Sequence, residues 1–286
     1  MAGLEAKATI VTFADKSHRG AHRRFRSQAR GIRAFDRIVT ITEDGLDRAF
    51  RSRFDSILQP HVRGFGYWVW KPQIILQALR DMCPGDFLVY LDSGSHLNRR
   101  GRAKLIEYFK IAQFSETGIL CFQTKFLEGS YSKRDLVSYF GVEGQPIILE
   151  TGQVQAGALI VHLRDHTEAF FRRWLETFED DIALVDDSVS ELPNVDCFVE
   201  HRHDQSVLSL LSKTTGVTLL SAADQSPCDP SVSWSDLAHE PIHHRRDLSS
   251  RFQKFRRKIL NPFPGLRLWL YVRFRKWISA VKDGSD

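Results

Sequence analysis

The chain has 286 residues, 42% of them hydrophobic and 26% charged, and a formal net charge of +5. Those proportions exclude a disordered or collagen-like chain, and the length suits one large α/β domain with an appendage. Four scattered cysteines, Cys83, Cys121, Cys197 and Cys228, form no CxxC pair, which argues against a zinc site and for a reducing compartment.

Ala8 to Phe13 (ATIVTF) reads as a buried strand that carries Thr12, Ala14 and Asp15 to a sheet edge, where Asp15 can accept a hydrogen bond from a nucleobase or ribose. Lys16, Arg19, Arg23, Arg24 and Arg26 follow as a basic helix, with a solvated face or a phosphate site as the two readings. Arg37 to Ile41 is a second apolar run. In RGFGYWVWKP, Pro72 suits the first turn of a helix, so a helix is predicted to start near Lys71 and to bury Ile74, Ile75, Ala78 and Leu79. Tyr67, Trp68 and Trp70 suit either a core cluster or stacking on a sugar or base. Pro84 and Gly85 end the helix. Phe87 to Leu91 is then apolar without interruption, as in a strand covered on both faces. It stops at Asp92, and Ser93, Gly94, His96 and Asn98 follow, in the position where open α/β sheets bind ligands.

Gly118 to Phe122 predicts a further strand. In TGQVQAGALIVH, Gln153 and Gln155 precede the small pair Ala156 and Gly157 and a strand over Ala158 to His162. A helix is predicted from Asp165 to Phe178, with Asp165 and Glu168 at capping-box spacing and Phe170, Phe171, Trp174, Leu175 and Phe178 on its core face. Asp180 to Asn194 reads as a solvated, mobile loop. Asp204 and Gln205 stand in the first turn of a helix running to Leu211, and Val217 to Leu220 is the last predicted strand. Strands alternating with helices give the fold class: α/β, a mostly parallel sheet flanked by helices.

Between Arg251 and Lys282 stand Arg251, Lys254, Arg256, Arg257, Lys258, Arg267, Arg273, Arg275, Lys276 and Lys282, with no acidic residue and many aromatic ones. The rest of the chain is mildly acidic. This tail, residues 249–286 beside a domain over 1–248, has the composition of a segment that lies on an anionic membrane surface. Nucleic acid is the less favoured partner, because no nucleic-acid fold signature accompanies it. With no run of about 18 apolar residues and no signal-peptide pattern at the start, the expected location is cytoplasmic, peripheral at the inner face of the cell membrane.

In their order as well as their content, the segments from about 7 to 245 resemble glycosyltransferases of the GT-A fold, the nucleotide-diphospho-sugar transferases, and among them bacterial surface-polysaccharide enzymes. The resemblance implies that Ala8 through Asp15 bind the nucleotide and that Asp92 stands in the Asp-x-Asp position. It implies that Gln155, Ala156 and Gly157 line the sugar site and that Asp204 and Gln205 lie beside the anomeric carbon. It also implies donor contacts from Lys71, Ser93, Gly94, His243 and His244, a UDP-sugar as favoured donor, a glycan or lipid-linked acceptor, and a retaining, hexosyltransferase-like reaction.

One departure concerns the metal. Gly94 stands where the second carboxylate of the pattern would be. A Mn²⁺ or Mg²⁺ ion would then rely on Asp92 with His96 and a late histidine, His243 or His244, while Arg245 and Arg246 offer a metal-free way to neutralise a diphosphate. A nucleotidyltransferase acting on sugar phosphates is the alternative enzyme, although FADKSHRG lacks its glycine-rich loop. A non-catalytic basic adaptor is the alternative outside enzymology.

Overall fold

The structure is a computed structural model, and it describes residues 6–225, 233 and 235–244. Arg245, Arg246 and the basic tail lie outside the described residues.

A seven-stranded sheet has the order β2-β1-β3-β7-β5-β6, with β8 also paired to β5. Its strands are β1 (Ala8–Phe13), β2 (Arg37–Ile41), β3 (Phe87–Leu91), β5 (Ile119–Leu127), β6 (Gly152–Val154), β7 (Ala158–His162) and β8 (Thr218–Ser221). β1 pairs parallel with β2 and β3, and β8 parallel with β5, whereas β6 and β7 run antiparallel to their neighbours. Five of the seven strands run in one direction, so the sheet is mixed but mostly parallel in strand direction. A separate two-stranded ribbon joins β4 (His96–Leu97) to β9 (Ile242–His243).

The five longer helices are α1 (Gly20–Ile32), α2 (Trp70–Leu79), α3 (Arg102–Phe114), α4 (Thr167–Asp180) and α5 (Asp204–Thr214). Successive strand residues point to opposite faces, so each strand feeds two cores. Leu88 and Tyr90 join a cluster with residues of α2, α4 and α5, while Val89 and Leu91 join a second with Phe25 of α1 and Leu105 and Phe109 of α3. This two-sided burial explains why β3 is an unbroken apolar run. Trp174, Phe171 and Phe25 are wholly buried, so the aromatic stripe of α4 is core. Among the described residues no helix is long and apolar enough to cross a membrane.

Three expectations change. α4 starts at Thr167 with His166 in the N-cap position and no side-chain cap, so Asp165 and Glu168 form no capping box. The backbone there is held instead by Arg164 N–H donating to Thr167 Oγ1. The strand expected over Gly118 to Phe122 runs on to Leu127, because its polar second half pairs with β6. The segment after Asp180 is fastened, not loose: Val185 is buried, and the buried ammonium of Lys133 bonds the carbonyls of Asp186 and Ser188 at 3.3 and 3.4 Å. Asp135 accepts from the backbone N–H groups of Glu191 and Leu192 at 2.8 Å each, and Arg63 pairs with Asp187 at 3.0 Å.

Candidate active site

β1 and β3 lie side by side and end at the same edge, which puts Asp92 next to the loop after β1. Because β7 runs antiparallel to β3, its entry residues meet the exit of β3, and Asp92 N–H donates to the Gly157 carbonyl at 2.9 Å. Lys71 comes from the first turn of α2 and Asp204 from the first turn of α5. The Lys71 ammonium lies 2.7 Å from Asp204 Oδ2 and 3.5 Å from Asp92 Oδ1, and it donates to the Ala156 carbonyl at 3.2 Å. Tyr90 O–H donates to Asp92 Oδ1 at 2.5 Å.

Burial sets the electrostatics. The side chains of Lys71 and Asp204 are each 5% exposed, and that of Asp92 is 39% exposed. Burial pushes the Asp204 carboxyl up from 3.8 to about 6, with the Asp92 charge adding to the rise and Lys71 opposing it. Burial alone would draw the Lys71 ammonium down, but Asp204 and Asp92 outweigh it and hold its pKa above the ordinary value. One cation thus serves two carboxylates, of which Asp92 is the more exposed.

The opposite rim is a chain of polar side chains. Gln155 Nε2 bonds Gln225 Oε1, which also meets His244 Nε2 at 2.9 Å, and His244 Nδ1 meets Ser95 Oγ at 2.7 Å. A Cβ at Gly157 would stand 3.2 Å from both Asp92 Oδ2 and His244 Cε1, so glycine is what leaves the gap between carboxylate and imidazole open. Arg24 bonds the carbonyls of Ser93 and Ser95 and fixes the turn around half-buried Gly94. Gln205 is held by Gln153 Oε1 at 2.7 Å, and Gln153 in turn donates to fully buried Glu128 at 3.2 Å.

The aromatic segment divides. Trp70 is core, stacked on Phe13 at 4.1 Å between ring centroids. Tyr67 and Trp68 are half-buried and lie 5.3 and 5.6 Å from the His203 ring. Gly64, Phe65, Gly66, Tyr67 and Trp68 all have positive φ, from 50° to 90°, and so has His203 at 51°. Non-glycine residues avoid this region at a cost of about 1–2 kcal/mol each. Backbone strain therefore concentrates next to Lys71 and Asp204, as it does at functional sites.

Asp92, Lys71, Asp204, Gly157, Ala156, Gln155 and His244 converge. Thr12 is fully buried with its Oγ1 unbonded, and Ala14 is buried with its N–H on the Ile41 carbonyl. Asp15 Oδ1 is engaged by Ser17 Oγ at 2.6 Å and by His18 N–H at 2.9 Å, which makes it the cap of a local turn. Sequence reasoning missed Tyr90, Ser95 and Gln225, which look like strand or loop residues until the fold places them against Asp92 and His244.

The expected metal ligands do not assemble. His96 meets Arg24 at 2.8 Å through Nε2 and Gln28 at 2.9 Å through Nδ1, and His243 turns Nε2 to the Leu237 carbonyl at 2.8 Å. Both nitrogens of His244 are engaged by Ser95 and Gln225. Among the described residues no three His, Cys, Asp or Glu side chains are placed to hold an ion. The set Asp92, His96 and His243 therefore does not fit a resident Mn²⁺ or Mg²⁺.

No family model and no curated protein matches the chain. Among solved structures it is similar to a glycosyltransferase involved in glycosylation of the major capsid of PBCV-1, with 14% identity, 89% of this chain and 99% of that one covered, and a TM-score of 0.46. It is similar to mouse xyloside xylosyltransferase 1, at 12% identity, 83% and 97% coverage and a TM-score of 0.47. A third is the galactosyltransferase LgtC in complex with donor and acceptor sugar analogues, at 13% identity, 82% and 86% coverage and a TM-score of 0.44.

Proposed function

We propose that the chain is a glycosyltransferase of the GT-A type, moving a sugar from a nucleotide-sugar donor, a UDP-sugar by preference, to a glycan or lipid-linked saccharide of a bacterial surface polysaccharide. The observation that carries this reading is the meeting of four separate segments at one sheet edge: Asp92 after β3, Lys71 from α2, Gln155 to Gly157 before β7, and Asp204 from α5. That edge is the ligand position of open α/β sheets.

In this reading the donor's nucleoside lies over the ends of β1 and β3, with Asp92 Oδ2 towards the ribose. Asp204, ionised above about pH 6, stabilises the positive charge that develops on the sugar as the bond to the diphosphate breaks. Lys71 keeps the two carboxylates from repelling an anionic donor. Gln205, oriented by Gln153, positions the sugar or the acceptor hydroxyl, and the reaction proceeds with retention. Arg245 and Arg246 neutralise the leaving diphosphate. The basic tail over 249–286 holds the enzyme at the inner face of the membrane.

The test is release of nucleoside diphosphate from a panel of nucleotide sugars, with and without a lipid-linked acceptor. Wild type is expected to turn over at least one donor, and Asp204→Asn to lose about two orders of magnitude or more, the scale on which a group acting on transition-state charge is felt. Full turnover by Asp204→Asn would overturn the assignment.

A further inference from the structure

α1 carries a second charged surface on the side away from Asp92. Arg24 and Gln28 share the face that meets His96. At 3.6 residues per turn, Arg19, Arg23, Arg26 and Arg30 fall on the opposite side. All four are exposed, and with His22, Ser27 and Thr42 they line a cleft of about 800 Å³ beside the end of β2.

This arrangement works against the helix. α1 contains no acidic residue. Arg19/Arg23 and Arg26/Arg30 are like charges four residues apart, and Arg23/Arg26 are three apart, spacings at which such pairs repel. Arg19 at the N-cap and Arg23 in the first turn also oppose the helix dipole. Of the four, Arg19 alone faces a carboxylate among the described residues, Asp44 at 3.6 Å between exposed side chains. Arg26 reaches a neutral group, Thr40 Oγ1. The second observation is His22: only 8% exposed, it lines the same cleft and its Nε2 has no hydrogen-bond partner. Burial, with Arg26 and Arg19 nearby, lowers its pKa.

We propose that this cleft is an anion site, separate from the Asp92 site, that takes a ligand with two or more linked phosphate groups. The cations are all arginines, whose planar forks bind phosphate oxygens in pairs. Helix neighbours at these spacings stand about 5–6 Å apart, so one ligand bearing several phosphates meets two or more guanidinium groups at once. A free oligophosphate and the phosphate headgroups of a lipid share this chemistry.

Titration calorimetry on the full chain with sodium tripolyphosphate at physiological salt tests the site, beside a flotation arm with vesicles containing phosphatidylglycerol. Wild type is expected to bind tripolyphosphate saturably, and Arg23→Ala/Arg30→Ala to bind it about tenfold or more weakly, as expected for lost charge-assisted bonds. The variant's melting temperature should not fall, and Asp92→Asn should leave the binding unchanged. Weakening in the tripolyphosphate arm assigns a soluble oligophosphate. Weakening in the vesicle arm alone assigns lipid phosphate as the source. Binding that is absent in both arms, or the same in wild type and the double arginine variant, would overturn the proposal, as would loss of tripolyphosphate binding in Asp92→Asn.

Discussion

Replacing Lys71 by methionine is expected to destabilise the protein severely and in a pH-dependent way. The ammonium is 2.7 Å from Asp204, and both side chains are 5% exposed. Removing one partner of such a buried pair strands the other charge, at a cost of about 3–5 kcal/mol, a large part of a typical total stability of about 5–15 kcal/mol. At roughly 2–4 °C per kcal/mol for a domain of this size, the melting temperature should fall by about 6–20 °C at pH 8. Asp204 sets the pH dependence. Its folded pKa of about 6 lies above the ordinary 3.8, so the folded state binds the extra proton. The stability this adds is complete below about pH 4 and is lost as pH rises through 6. Lys71 holds that pKa down, so in the variant it climbs further, and the deficit against wild type should shrink between pH 8 and pH 5. Lys71→Met/Asp204→Asn should recover part of the loss. Denaturation in urea at both pH values measures this. A deficit below about 1 kcal/mol, the scale of an exposed pair, or one equal at pH 5 and pH 8, would refute the reasoning.

The same carboxyl predicts an acid limb in kcat/KM near pH 6, absent from Asp204→Asn, in a pH-rate profile with the best donor. Gly157→Ala puts a methyl group 3.2 Å from Asp92 Oδ2 and His244 Cε1; calorimetry should show nucleotide binding about tenfold weaker, with the melting temperature nearly unchanged. Burial pushes the Cys121 thiol up to about 12, whereas Cys83 and Cys197 are exposed. Mass spectrometry after thiol labelling of the native protein should find label on Cys83 and Cys197 but none on Cys121.

Much of the frame was legible because strands buried on both faces leave an unbroken apolar signature: Ala8 to Phe13, Phe87 to Leu91 and Ala158 to His162 are where the apolar runs put them, and so is the half-buried edge strand Arg37 to Ile41. β4, β6 and β9 are only two or three residues long, and their existence depends on partners far away in the chain. The same distance hid the ion pair of Lys71 with Asp204, since a lysine before a helical proline and an aspartate in a first turn each read locally as a surface residue or a cap. The segment after Asp180 read as loose because its anchors, Lys133, Asp135 and Arg63, belong to other elements. The metal set failed for a related reason: His96 and His243 face each other in the β4–β9 register, yet their rings are claimed by Arg24, Gln28 and the Leu237 carbonyl.

Titration of the full-length protein with UDP and GDP, once in EDTA and once with Mn²⁺, tests the nucleotide-sugar reading most directly. The account predicts saturable one-to-one binding of at least one of them, undiminished in EDTA, weakened by Asp92→Asn, and stabilising the fold by about 2.7 kcal/mol at a hundredfold excess over Kd. Binding that required Mn²⁺ would restore a metal that the side chains at this site do not hold. Failure of every nucleoside diphosphate and nucleotide sugar to bind under either condition would contradict the account.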